Sequence, residues 1–185
     1  MSIFDFNRQD VQHINPIVRF DLTFSLFCME HKYADRVSQI SRAVSHSGDG
    51  HLYVFLALIA YVVDSATGSL FLACGLLAFA IELPIYWLVK NGFRRRRPHE
   101  LSPRFINYIE PSDKYSLPSG HTAAATIMAI NISLFFPTLA IIAVVWAGLI
   151  ALSRILLGVH FFSDIVAGVA LGAASAFTAM AIIGA

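Results

Sequence analysis

The sequence predicts an all-α integral membrane protein: a helical bundle of five to six transmembrane helices with an amino-terminal interfacial helix, in a single domain over residues 1–185. Of its 185 residues, 57% are hydrophobic and only 14% are charged, too few charges to cover a surface facing water. The apolar residues are also gathered into runs. Leu70–Val89 is about 20 residues long, enough to cross roughly 30 Å of hydrocarbon at about 1.5 Å per residue.

The elements follow in order. The first 13 residues, MSIFDFNRQDVQH, carry acids and no continuous apolar core, so they do not read as a secretory signal peptide. Residues 16–31 are apolar but interrupted by Arg19 and Asp21, which suits an amphipathic helix at the interface better than a crossing. Tyr33–His46 is similar and leads into the first span. Residues 1–47 are therefore an interfacial segment, and 48–185 a helical core. Leu52–Val63, extended backwards through Gly48–His51, is the first span and Leu70–Val89 the second. Lys90–Leu117 is polar, contains Pro98, Pro103 and Pro111, and reads as a loop. Thr122–Phe136, Leu139–Leu152 and Phe161–Ile183 complete five spans, with Pro137 suited to a first helical turn.

Within these runs a few residues stand out. Glu82 lies inside a span, where an ionised carboxylate is costly, and reads as a protonated or hydrogen-bonded packing group. Gly168-Val-Ala-Leu-Gly172 is a GxxxG pattern that lets helices approach closely. His46, Asp49 and His51, around Gly48 and Gly50, mark a turn, with contact to a substrate as the alternative. Cys28 and Cys74 read as small apolar packing residues and not as a disulfide.

A net charge of +1 gives no global field for a nucleic-acid partner. The distribution of charge says more. All 13 Lys and Arg fall in residues 1–42, in 90–114, or at Arg154. With five spans, these segments emerge on one face.

Three polar clusters converge on that face: Lys90 through Arg97-Pro98, Pro118-Ser119-Gly120-His121, and Ser153-Arg154 followed by His160 and Asp164. Phosphoryl transfer needs fixed positive charge around the non-bridging oxygens, where negative charge spreads in the transition state. Lys90, Arg97 and Arg154 can supply it, the guanidinium forks meeting two oxygens at once. Ser119 and the Gly120 N–H sit at a helix amino-terminus, which favours an anion. His160 and Asp164 are four apart and share a helix face, so the carboxylate can fix the ring tautomer and leave the other nitrogen to attack phosphorus. His121 then protonates the departing oxygen. Arg94, Arg95 and Arg96 read as contacts to lipid head groups.

The pattern K-x6-R-P, P-S-G-H and S-R-x5-H-x3-D, complete and in order, closely resembles the type-2 phosphatidic acid phosphatase superfamily over residues 70–172 or so. The resemblance implies metal-independent hydrolysis of a membrane lipid phosphate or pyrophosphate, with no cofactor, through a phosphohistidine on His160 activated by Asp164. His121 is then the acid, and Lys90, Arg97, Ser119, Gly120 and Arg154 surround the phosphate. The implied partners are the bilayer and a polyprenyl or glycerolipid substrate, and no nucleic acid. The alternatives are a lipid phosphotransferase using the same phosphohistidine, or a protein that only binds or transports a lipid phosphate. The positive-inside rule assigns the cationic face to the cytoplasm, but several of those charges are there to hold phosphate. Many members of the family face outward, so the resemblance implies the external face of a bacterial inner membrane.

Overall fold

The computed structural model describes residues 15–30, 32–101, 104–111 and 113–185, and every regular element among them is helical. The first 13 residues, expected not to form a secretory signal peptide, and Pro103, expected in the loop, lie outside the described residues.

Helix α1 (Pro16–Met29) starts where Asn15 Oδ1 accepts from the Ile17 N–H at 2.9 Å and Pro16 occupies the first turn. Its 14 residues reach only about 21 Å, short of a bilayer core. It turns Asp21, Leu22, Ser25 and Met29 inward and leaves Ile17, Phe20 and Phe27 exposed. Helix α2 (Ala34–His46) presents Ser38, Ser41 and Ser45 to the interior and packs against α7 (Ala140–Leu156).

Helices α3 (His51–Val63) and α4 (Ser65–Phe93) fold back on each other at Asp64, whose carboxylate accepts from the Ala66 N–H at 3.0 Å. Gly68 permits this close return, since a Cβ there would meet Tyr61 Cα at 2.4 Å. Arg94, in the left-handed region at φ 49°, ends α4. Lys90 therefore belongs to the last helical turn and not to the loop expected from its polarity. A short α5 (Pro98–Leu101) follows, then α6 (Gly120–Phe135), a 3-10 turn (Pro137–Leu139), α7, and α8 (Phe162–Ile183).

All five apolar runs are helices. The segments Ser65–Leu101, Pro137–Leu156 and Phe162–Ile183 are each long and apolar enough to cross a membrane, while α3 and α6 are shorter. The central position of α6 explains its length: α4, α7 and α8 pack around it, and Ala123, Ala125, Ile127 and Met128 are buried against protein. The GxxxG reading of α8 matches the geometry. A Cβ at Gly168 would meet the Ser119 carbonyl oxygen at 2.6 Å, and one at Gly172 that of Ala123 at 2.4 Å. This contact sets the first turn of α6 against the first turns of α8 and positions the polar groups at both ends.

Candidate active site

The carboxyl ends of α4 and α7 and the amino ends of α6 and α8 gather around a cavity of about 190 Å³ lined by Phe79, Glu82, Leu83, Tyr86, Arg97, Asp113, Gly120, His121, Ala124, Arg154 and His160. Residues from all three clusters thus share one cavity. Arg97, Arg154 and His160 are 2–4% exposed.

His160 does not lie on a helix. It precedes α8, and its Nδ1 is 3.7 Å from Asp164 Oδ2, beyond hydrogen-bonding distance. The expectation of a shared helix face is corrected by the cap: Asp164 folds back over the start of α8 and accepts from the Phe161 N–H at 2.8 Å. Its other oxygen accepts from Arg95 Nη1 at 2.6 Å. His160 Nδ1 is buried and makes no hydrogen bond. Burial is the largest influence on this ring and pushes its pKa down to about 4, with Asp164 opposing and Arg154 and Arg97 reinforcing the shift.

The cations are arranged unequally. Arg97 is held by backbone, donating to the carbonyls of Val159 at 2.6 Å and Tyr115 at 3.1 Å, and it pairs with Asp113 Oδ1 at 2.5 Å. Lys90 Nζ reaches Asp113 Oδ2 at 2.8 Å and Tyr86 Oη at 2.5 Å. Arg154 donates to Ser45 Oγ at 2.6 Å, while its buried Nε has no partner. Gly120 lines the cavity beneath the Tyr86 ring, which a Cβ would meet at 3.0 Å. Ser119 is set back: its Oγ accepts from Thr122 Oγ1 at 2.9 Å, and its N–H donates to the Asp164 carbonyl at 3.0 Å. It ties α6 to α8 and does not line the cavity. Glu82, read as a packing group, is buried and faces the same space.

Sequence reasoning missed several participants. Asp113 faces Lys90, Arg97 and Tyr86 together, and burial, which works against its charge, is outweighed by these donors, which hold its carboxyl below the usual range. Asp113 is one of three acids in that loop, with Glu100 and Glu110, and nothing in its spacing singles it out. Arg95 is not a head-group contact. Its side chain is 19% exposed and bridges Asp164 and the fully buried Asp21 of α1, at 2.6 Å to each. Asp21 also accepts from the Ser163 N–H at 2.9 Å. A carboxylate within an apolar helix marks such a buried partner. Arg94 and Arg96 are exposed. His121 Nε2 lies 2.8 Å from Asp49 Oδ1. Among the described residues, no group of three or more His, Cys, Asp or Glu is gathered to hold a metal ion.

A second cavity of about 580 Å³ adjoins the first. It is a largely apolar groove between α3, α4 and α6, lined by Tyr53, Ala57, Phe71, Gly75, Phe79 and Met128 among others, and Gly120 and His121 border both spaces.

Residues 66–185 match the family model described as the PAP2 superfamily. A decaprenylphosphoryl-5-phosphoribose phosphatase of Mycobacterium tuberculosis is 36% identical over 138 residues, which cover 72% of this chain and 73% of that protein. Two solved structures share the fold. The PAP2-type phosphatidylglycerolphosphate phosphatase of Bacillus subtilis superposes with a TM-score of 0.72 at 23% identity, over 95% of this chain and 90% of the other. Aquifex aeolicus LpxE does so at 0.75 and 22%, over 97% and 99%.

Proposed function

The chain belongs to the PAP2 superfamily, and from that membership we propose that it is an integral membrane phosphatase that hydrolyses a polyprenyl or glycerolipid phosphate or pyrophosphate through a phosphohistidine on His160. The observation that carries this reading is the junction at His121, where a small cavity lined by Arg97, Arg154 and His160 opens beside a long apolar groove. A phosphate fits the first and a lipid tail the second. The mycobacterial relative, by its name, acts on a decaprenyl lipid, which supports the substrate class.

In this mechanism the neutral His160 ring attacks phosphorus through Nε2, because Nδ1 faces Asp164. The bond from phosphorus to the lipid oxygen breaks, and His121 delivers a proton to that oxygen. Water then attacks the phosphohistidine and gives a proton back to His121. Inorganic phosphate leaves, and both rings regain their starting states. Arg97, Arg154 and Lys90 spread positive charge over the phosphoryl oxygens, and the Gly120 N–H adds a donor at the start of α6. Asp113 supplies the negative charge facing Lys90 and Arg97, so a phosphoryl group takes its place beside them. Asp164 and Arg95 hold the nucleophile from behind.

A panel of lipid phosphates assayed with purified protein tests the reading. Wild type releases inorganic phosphate in the presence of EDTA, and His160→Ala abolishes release. Phosphate release that disappears with EDTA, or that survives in His160→Ala, contradicts it. We further place the site at the external face of a bacterial inner membrane. A cysteine at the exposed position Lys114, after replacement of Cys28 and Cys74, then reacts with an impermeant thiol reagent added to intact cells; protection there reverses the orientation.

A further inference from the structure

Asp49 lies ahead of the residues that match the family model, in the turn between α2 and α3. Its carboxylate touches two imidazoles: Oδ1 is 2.8 Å from His121 Nε2, and Oδ2 is 2.7 Å from His46 Nδ1. The turn that carries it is fixed from several sides. Trp146 Nε1 donates to Ser47 Oγ at 2.9 Å, and Gly48 sits so close to α7 that a Cβ would meet Ile150 at 3.1 Å. Arg154 Nη1 reaches Ser45 one turn earlier. An anchored carboxylate on a ring nitrogen does two things: it sets the orientation of the ring, and it stabilises the protonated ring over the neutral one.

We propose that Asp49 is the positioning carboxylate of His121, so that each histidine of the site has its own acid: Asp164 behind the nucleophile, Asp49 behind the proton donor. This rests on the phosphatase reading above. Asp49 holds Nε2, leaving Nδ1 to deliver its proton to the lipid oxygen as the bond to phosphorus breaks. The same carboxylate stabilises the charge that returns to the ring when water attacks the phosphohistidine. His46, 78% exposed at its side chain, occupies the second oxygen from the water side. The other charged or titratable groups that share a cavity with His121 are Arg42 from α2, Tyr53 from α3, Glu82 and Tyr86 from α4, Arg97 after α4, Glu110 and Asp113 from the loop before α6, Arg154 from α7, and His160. Compared with the carboxylates of Glu82, Glu110 and Asp113, Asp49 is the one hydrogen-bonded to the ring among the described residues.

The test separates this role from a structural one by the leaving group. An alkyl oxygen needs a proton to depart, whereas the 4-nitrophenolate ion leaves without one. Wild type, Asp49→Asn and Asp49→Glu are compared on phosphatidic acid in mixed micelles and on 4-nitrophenyl phosphate. Asp49→Asn lowers kcat on phosphatidic acid by roughly tenfold or more, with KM within about twofold, and moves the basic limb of the pH profile to lower pH. The aryl phosphate loses less than about threefold, and Asp49→Glu restores part of the lipid activity. Equal losses on both substrates, or a loss confined to KM, overturn the proposal, as does an unchanged variant. If Asp49→Asn does not purify as folded protein, Asp49→Ser serves in the same comparison, with the same outcomes deciding. A wild-type protein that turns over neither phosphatidic acid nor 4-nitrophenyl phosphate, and none of the lipid panel, refutes the phosphatase reading itself, an outcome distinct from any of these.

Discussion

His160 is 3% exposed and shares its cavity with two guanidinium groups, and this setting makes its protonation a matter of stability as well as chemistry. Its folded pKa of about 4 lies below the ordinary 6.5. Between those values the unfolded chain binds a proton that the folded chain refuses, so stability is fully present above 6.5 and is lost as pH falls towards 4. Asp113, held below its ordinary 3.8, adds a loss of the same sign at lower pH, as the pH falls through its folded value. Thermal unfolding in detergent at pH 7 and pH 4.5 measures the effect. The wild type loses more stability over that interval than His160→Gln does, by about 1 to 3 kcal/mol. Equal losses remove burial as the reason the ring stays neutral. At this scale the motif residues were legible because their chemistry depends on residue type and spacing: His160, Arg154 and Arg97 share the cavity as their pattern implied. The partners of Asp113, Arg95 and Asp49 were not legible: the sequence marks Asp49 as a turn residue with substrate contact as the alternative, but what brings it to His121, 72 positions away, is the path of the chain and not a local spacing.

At the scale of elements, the α6–α8 contact does most to set the geometry. Gly168 and Gly172 let the first turn of α6 lie directly on α8, and Ser119 then bonds the Asp164 carbonyl. A methyl group at Gly168 must push against the Ser119 carbonyl, at a cost of about 1–3 kcal/mol for overpacking. Gly168→Ala therefore lowers kcat/KM by moving Gly120 and His121 relative to His160, and lowers the unfolding temperature as well. Gly148, where a Cβ meets nothing within 4 Å, is the control: Gly148→Ala leaves activity unchanged. Comparable effects at the two positions contradict this role for the contact. The helices themselves were legible from apolar runs, since those runs must be helical in a bilayer. Their ends were less so. Lys90 is polar and proline follows soon after, yet α4 continues to Phe93, because a helix that leaves the membrane can keep its backbone bonds in water. Asp21 interrupts the apolar pattern of α1 in the sequence, and its partner is Arg95, a pairing between segments far apart in sequence.

For the whole molecule, one arrangement unites these observations. Cations from α4, its following loop and α7 converge with two histidines beside an apolar groove. The amino-terminal helix, which precedes the matched family region, is tied to that same end through Asp21, Arg95 and Asp164. Fold class was readable from composition and run length together: 14% charge leaves few ways to place this chain other than in lipid, and apolar runs of up to about 20 residues fit helices. The most direct measurement is the capture of the covalent intermediate. Purified protein is mixed with a lipid phosphate bearing a labelled phosphoryl group, quenched in alkali, and mapped by peptide analysis. The expected result is an alkali-stable, acid-labile label on residue 160 that is absent from His160→Ala. Label on any other residue, or undiminished turnover of the lipid by His160→Ala, contradicts the nucleophilic role of that imidazole.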